Sequence, residues 1–137
     1  MKHYINYPTL KIIIDSMKFK NMSSVFGVEK ENGKLEGILA AIYQNIFGLE
    51  VYPSLEEKAA HLLYFIVKDH PFIDGCKRIA ATLFLEFLNR NHALIKNGKI
   101  IISNDTLVAT TVLTAESNPE EKEVIIKLIM NFLNKEN

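Results

Sequence analysis

Apolar residues recur at helical spacing on both sides of one interruption, Pro71 to Gly75, and that arrangement constrains the fold more than any other feature of the chain. Upstream, Leu55, Ala59, Leu62, Leu63 and Ile66 keep to one stripe until Pro71, which disfavours the helical region for the residue before it. Ser54-Leu55-Glu56-Glu57 reads as a capping box that starts this helix, so His70 falls at its exit. Downstream, Ile79, Ala80, Leu83, Phe84, Phe87 and Leu88 resume the period in a helix expected to end near Asn91. The loop therefore joins a one-striped helix to a well-buried one.

The rest of the pattern is also helical, which makes the expected class all-α. Pro8 can sit at a first helical position, with Leu10, Ile13, Ile14 and Met17 following at helical spacing over Tyr7–Met17. Residues Lys18–Lys34 give no clear period, and Gly27 and Asn32-Gly33 punctuate them. A helix is expected over Leu35–Phe47, with Leu39, Ile42, Tyr43 and Ile46 on one face, Gly48 stopping it and a loop over Gly48–Pro53. Lys96-Asn97-Gly98-Lys99 carries the Asn-Gly signal of a small hairpin. Ser103 or Asn104 can cap a fifth helix through Ala115. Asn118-Pro119-Glu120-Glu121 opens a last helix whose expected core face is Val124, Ile125, Leu128, Ile129, Phe132 and Leu133.

Composition excludes several classes of function. The 137 residues suffice for one domain with a real core. Sixteen basic and sixteen acidic residues cancel without forming long blocks, so the chain is not expected to bind nucleic acid or a membrane surface. No uncharged stretch reaches the roughly 18 residues of a membrane span, and Met1–Leu10 lacks a signal-like apolar run. The single cysteine, Cys76, excludes an internal disulfide framework and fits a reducing compartment. A cytoplasmic location is the expectation.

The loop His70-Pro71-Phe72-Ile73-Asp74-Gly75-Cys76-Lys77-Arg78 is where chemistry concentrates. Delivering Gly75, Cys76, Lys77 and Arg78 into a helix start leaves backbone N–H groups unpaired at the positive end of the helix dipole, which favours an anion. Gly75 allows a turn or a close approach, and Lys77 and Arg78 supply full charges for phosphate oxygens. Asp74 conflicts with a phosphate unless a divalent cation such as Mg2+ bridges the two. His70 is of the residue type that can take a proton from an attacking hydroxyl near neutral pH. Phe72 is expected to turn inward and anchor the loop.

His70-x-Phe72-x-Asp74-Gly75-x-Lys77-Arg78, followed by Ile79-Ala80 and a Leu/Phe-rich helix, resembles the core motif of the Fic/Doc superfamily, commonly His-x-Phe-x-Asp/Glu-Gly-Asn-Gly/Lys-Arg. Tyr52-Pro53-Ser54-Leu55-Glu56-Glu57-Lys58-Ala59-Ala60 resembles the helix entry of Doc-type members. The resemblance covers roughly Leu35 to Asn134 of a single domain spanning 1–137, with residues 1–34 as an extension outside it. It implies a Fic-type helical bundle with a small β-hairpin flap, whose members transfer part of ATP or another nucleotide, with Mg2+, to a Ser, Thr or Tyr hydroxyl of a target protein. It further implies His70 as catalytic base, Asp74 as magnesium ligand, Gly75, Cys76, Lys77 and Arg78 as the phosphate-binding nest, and Phe72 as structural anchor. The segment about Phe47–Pro53 is similar in position to the flap that clamps a target peptide along its edge.

Two departures bear on the reaction. AMP-transferring members usually have glycine at the Lys77 position and a second arginine at the Ala81 position, whereas Lys77 resembles the Doc branch, associated with phosphate transfer. Cys76 stands where the family has asparagine, and a thiol is a poor hydrogen-bond donor. AMP transfer, phosphate transfer and an inactive interaction module all stay open, as do an antitoxin-like regulator, a homo-oligomer and a place as the terminal module of a longer bacterial protein. Glu36-Gly37 faintly resembles the family's inhibitory segment, but Asn32 replaces the usual serine or threonine and Ala81 leaves Glu36 no arginine partner, so autoinhibition is not expected.

Plainer roles compete for several residues. Cys76 can be a small residue near a helix start or a thiolate activated by the dipole and adjacent cations. His70, Asp74 and Cys76 could hold zinc only with a fourth ligand that the sequence does not offer. His61 and His92 read as structural or surface histidines, and His3 carries no signal. Tyr43, Tyr52 and Tyr64 could stack on a base but fit packing better.

Overall fold

A computed structural model describes residues 5–21 and 23–134; His3 lies outside the described residues. Its centre is the helix α3 (Leu55–Asp69), which packs against α4 (Cys76–Arg90), α6 (Lys122–Asn134), α2 (Lys34–Ile42) and α5 (Asn104–Glu116). Neighbours on several sides change the expected single stripe. Lys58, Ala60, His61, Tyr64 and Val67 are buried together with Ala59, Leu62, Leu63 and Ile66, while Leu55 is only half-buried. The helix α1 (Tyr7–Lys18) packs on α2 and α4, its Asn6 side chain accepting from the Thr9 N–H. One hydrophobic cluster runs from Ile5 to Leu133, with Phe26, Phe72, Phe84 and Phe87 fully buried. The fold is an all-α bundle with two small antiparallel hairpins, the class expected from sequence.

The first hairpin corrects the reading of residues 35–47. α2 ends at Ile42, and β1 (Asn45–Ile46) pairs with β2 (Leu49–Glu50), so Ile46 is exposed rather than on a helix face. The cause is a turn at Phe47-Gly48, both at positive φ, closed below by the Val51 N–H donating to the Gln44 carbonyl. Paired backbone thus begins upstream of the expected Phe47–Pro53 flap, and Phe47, fully exposed, is its tip. The buried Lys58 ammonium donates to the Glu50 carboxylate and the Tyr52 carbonyl, holding the base of the hairpin on α3.

The second hairpin, β3 (Ile95–Lys96) with β4 (Lys99–Ile100), turns at Asn97-Gly98 as expected. Ser103 caps α5 through the Thr106 N–H. Pro119–Glu121 form a single 3₁₀ turn before α6, and Ile126 rather than Val124 faces the core; Val124 is 68% exposed. The extra turn shifts which residues of the helix meet α3.

Candidate functional site

The chain leaves α3 at His70, whose left-handed backbone (φ 52°, ψ 59°) ends the helix while its N–H still donates to the Ile66 carbonyl. Pro71 cannot continue the ladder. Residues 71–74 are held instead by residues 26–30, the segment that gives no clear period in the sequence. The Gly27 N–H donates to the Asp74 carbonyl (3.0 Å), the Ile73 N–H to Val28 (2.8 Å) and the Lys30 N–H to Pro71 (2.8 Å). These cross-links satisfy loop backbone that would otherwise need water. Phe72 points into the core with no exposed surface, and Phe26 is equally buried.

Gly75 then carries φ 92°, and a Cβ there would meet the Phe26 ring, with Cδ2 only 2.6 Å away. Both the conformation and the close approach exclude a side chain. α4 starts directly after it with no side-chain cap and no acidic residue in its first turn. The first N–H groups of the helix have no intrahelical acceptor, and this start is open toward the loop.

The charged side chains divide. Arg78 is drawn back over the loop: it lies 3.6 Å from Asp74 Oδ1, donates to Asn21 Oδ1, and stacks 4.9 Å from the Phe26 ring centre. Such a partly exposed ion pair is worth only about 0–1 kcal/mol and is easily exchanged. Lys77 is exposed, and no hydrogen bond or ion pair holds it among the described residues. His70 is exposed at the rim, with Lys30 Nζ 2.9 Å from its Nδ1.

Cys76 faces inward, 3% exposed, its Sγ donating to the Phe72 carbonyl at 3.4 Å. Burial pushes the thiol up, outweighing the opposite pulls of that hydrogen bond and of the Lys30 and Lys77 charges, while Asp74 adds to the rise. Its burial and its bond to the Phe72 carbonyl fit the plainer role of a small residue near a helix start. Zinc falls, because among the described residues no group of three His, Cys, Asp or Glu side chains could hold a metal ion.

The tyrosines considered for base stacking pack elsewhere. Tyr43 accepts from the Ile5 N–H (2.7 Å), Tyr52 stacks on His61 at 3.7 Å, and Tyr64 is buried. Ala81 is half-buried on α4, and Glu36 is exposed in the first turn of α2. Among the described residues no helix is long and apolar enough to cross a membrane.

The structure therefore places Asp74, Gly75, Lys77 and Arg78 at the uncapped start of α4, leaves His70 exposed at the exit of α3 on the same loop, and turns Phe72 and Cys76 inward. Sequence reasoning missed Asn21, Phe26 and Lys30. Gly27 was visible as punctuation, but nothing local to it points to a loop more than forty residues on.

A family model described as the Fic/DOC family matches residues 4–88, which includes both the loop and the segment that braces it. The chain is 35% identical over 72 residues to Toxin Doc of Mycolicibacterium smegmatis, a match covering 50% of this chain and 55% of that protein. The chain thus spans about half the length of the curated relative it matches. No solved structure matches.

Proposed function

This chain belongs to the Fic/DOC family, and from that premise we propose that it transfers a phosphoryl or AMP group from ATP or another nucleoside triphosphate to a Ser, Thr or Tyr hydroxyl of a target protein. One observation carries the proposal: α4 opens without a cap behind a left-handed glycine, with two cations after it and an acid and a histidine before it. Free N–H groups, the helix dipole, Lys77 and Arg78 all favour the same anionic guest.

In the reaction, phosphate oxygens lie against the N–H groups of residues 75–78, and Lys77 and Arg78 neutralise their charge. Arg78 exchanges its weak contact with Asp74 for the phosphate. The target hydroxyl oxygen forms a bond to phosphorus, the bond from that phosphorus to its bridging oxygen breaks, and the hydroxyl proton goes to His70. The nucleoside diphosphate leaves in phosphoryl transfer, pyrophosphate in AMP transfer. A magnesium ion would be held by Asp74, whose half-exposed carboxylate is the kind of oxygen donor that ion accepts. When bound, it supplies charge neutralisation between carboxylate and phosphate. Lys77 favours the phosphoryl branch.

A toxin-like growth regulator with an antitoxin-like partner accords with the relative named Toxin Doc. Cytoplasmic action accords with a target inside the cell. A second reading, a Fic-fold interaction module without catalysis, is favoured by Cys76, whose side chain donates into the core and supplies nothing to a phosphate.

ATP labelled at the α or γ phosphate, incubated with the chain, Mg2+ and cell extract, separates these readings. Transfer of γ label is expected, and transfer of α label would mean AMP transfer. His70→Ala is expected to lower transfer by about 10²–10⁴-fold, the usual contribution of a general base. No labelling from either phosphate, restored by Cys76→Asn, would leave the interaction module as the better account.

A further inference from the structure

We propose that Lys30 is a positioning residue that latches His70 and is released by polyphosphate; the release half rests on the nucleotide-binding reading above. An ammonium has donors and no acceptor, so at 2.9 Å it is Lys30 Nζ that donates and His70 Nδ1 that accepts. A neutral imidazole with Nδ1 accepting carries its own proton on Nε2. Neither ring nitrogen then offers a lone pair to an attacking hydroxyl. In this arrangement the candidate base is parked.

Three observations make the latch a property of the fold. The Lys30 backbone is held beside the loop, its N–H donating to the Pro71 carbonyl at 2.8 Å, so the side chain starts within reach of His70. The flanking acids do not hold it: Glu29 is turned to the Tyr7 hydroxyl (2.9 Å) and the Leu35 N–H (3.0 Å), and neither Glu29 nor Glu31 forms an ion pair with Lys30 among the described residues. Lys30 forms no ion pair among the described residues, and its side chain is exposed and able to swing.

A polyphosphate at residues 75–78 brings dense negative charge to the loop against which the Lys30 backbone is bonded. Charge-assisted bonds to phosphate oxygens are stronger than a bond to a neutral imidazole, so the ammonium transfers to the ligand and Nδ1 is freed. Lys30 thereby becomes a third cation of the site, reaching it from outside the motif. The base would be uncovered only when there is a phosphate to transfer.

The test uses the full chain labelled with 15N and inorganic triphosphate, so that no turnover is needed. Long-range proton–nitrogen spectra at mildly alkaline pH, where imidazoles are uncharged, report the tautomer of each histidine, and His70→Gln identifies the His70 signal. Without ligand, His70 should show Nδ1 as acceptor and Nε2 protonated. Lys30→Met should give the mixed tautomers of an unrestrained ring, and Lys30→Arg should keep the wild-type pattern. Triphosphate should move the wild-type ring to the Lys30→Met pattern, and Lys30→Met should weaken triphosphate binding about tenfold.

Identical ring spectra for wild type and Lys30→Met would overturn the latch. So would an unchanged wild-type ring while triphosphate perturbs the amides of Gly75–Arg78. If triphosphate perturbs none of those amides, nucleotide binding and the release both fall, while the ring spectra still decide the contact between Lys30 and His70 separately.

Discussion

Two helix starts in this molecule are built in opposite ways. α3 opens at Ser54, whose side chain accepts from the Glu57 N–H (3.0 Å) while the Glu57 carboxylate accepts from the Ser54 N–H (3.2 Å), and Glu56 adds a second acid at the positive end. α4 opens at Gly75 with neither, and its first turn carries Lys77 and Arg78, which the dipole disfavours. One helix satisfies its own orphan donors; the other leaves them for something else. Even α2, which also starts at a left-handed glycine, has its Leu35 N–H taken by Glu29. At α4 the uncapped N–H groups, the dipole and the two cations coincide, and all three favour an anion.

If the open start is held in place by packing, then removing that packing should cost most. Phe26→Ala removes a fully buried ring that covers Gly75, and a loss of about 3–5 kcal/mol in urea unfolding is expected, with faster amide exchange at Ile73. Closing the open start by substitution should also fail. Gly75→Asp adds a capping side chain but must hold φ near 92° against Phe26, so it should lose about 1–3 kcal/mol. A stabilised Gly75→Asp protein would break the comparison.

At the closed start the cost should be ordinary, about 1 kcal/mol for Ser54→Ala in the same unfolding measurement, with nucleotide-dependent labelling unchanged. The smallest effect is in pH. Burial lowers the pKa of His61, in the second turn of α3, from its ordinary 6.5, against the opposing hydrogen bond from Nδ1 to the Glu57 carbonyl (2.7 Å). The unfolded chain then takes up the proton first, so stability should fall as pH drops below about 6.5. His61→Gln should flatten that part of the stability–pH curve.

How much of this was legible varies with the range of the interactions. The capping box, the Asn-Gly hairpin, both central helices and the nine-residue loop depend on neighbours a few positions apart, and periodicity or turn chemistry reports them directly. α2 is shorter than its spacing predicts, because Ile46 keeps helical spacing while its backbone pairs across the Phe47-Gly48 turn. Val124 was read as core because a 3₁₀ turn and an α-turn look alike in sequence until the helix is rotated against its partner.

For the site the division is sharper. The sequence by itself determined which groups the loop carries and that Gly75 must precede a helix, because backbone conformation, charge and capping are local properties. Only the tertiary structure decided that residues 26–30 brace that loop, that Cys76 faces the core, that Arg78 folds back onto Asp74 and Asn21, and that Lys30 meets His70. The contacts of Lys30 with His70 and of Arg78 with Asn21 join positions 40 and 57 residues apart, and even the four-residue contacts of Cys76 and Arg78 depend on which way packing turns their side chains, so none of them has a period to read.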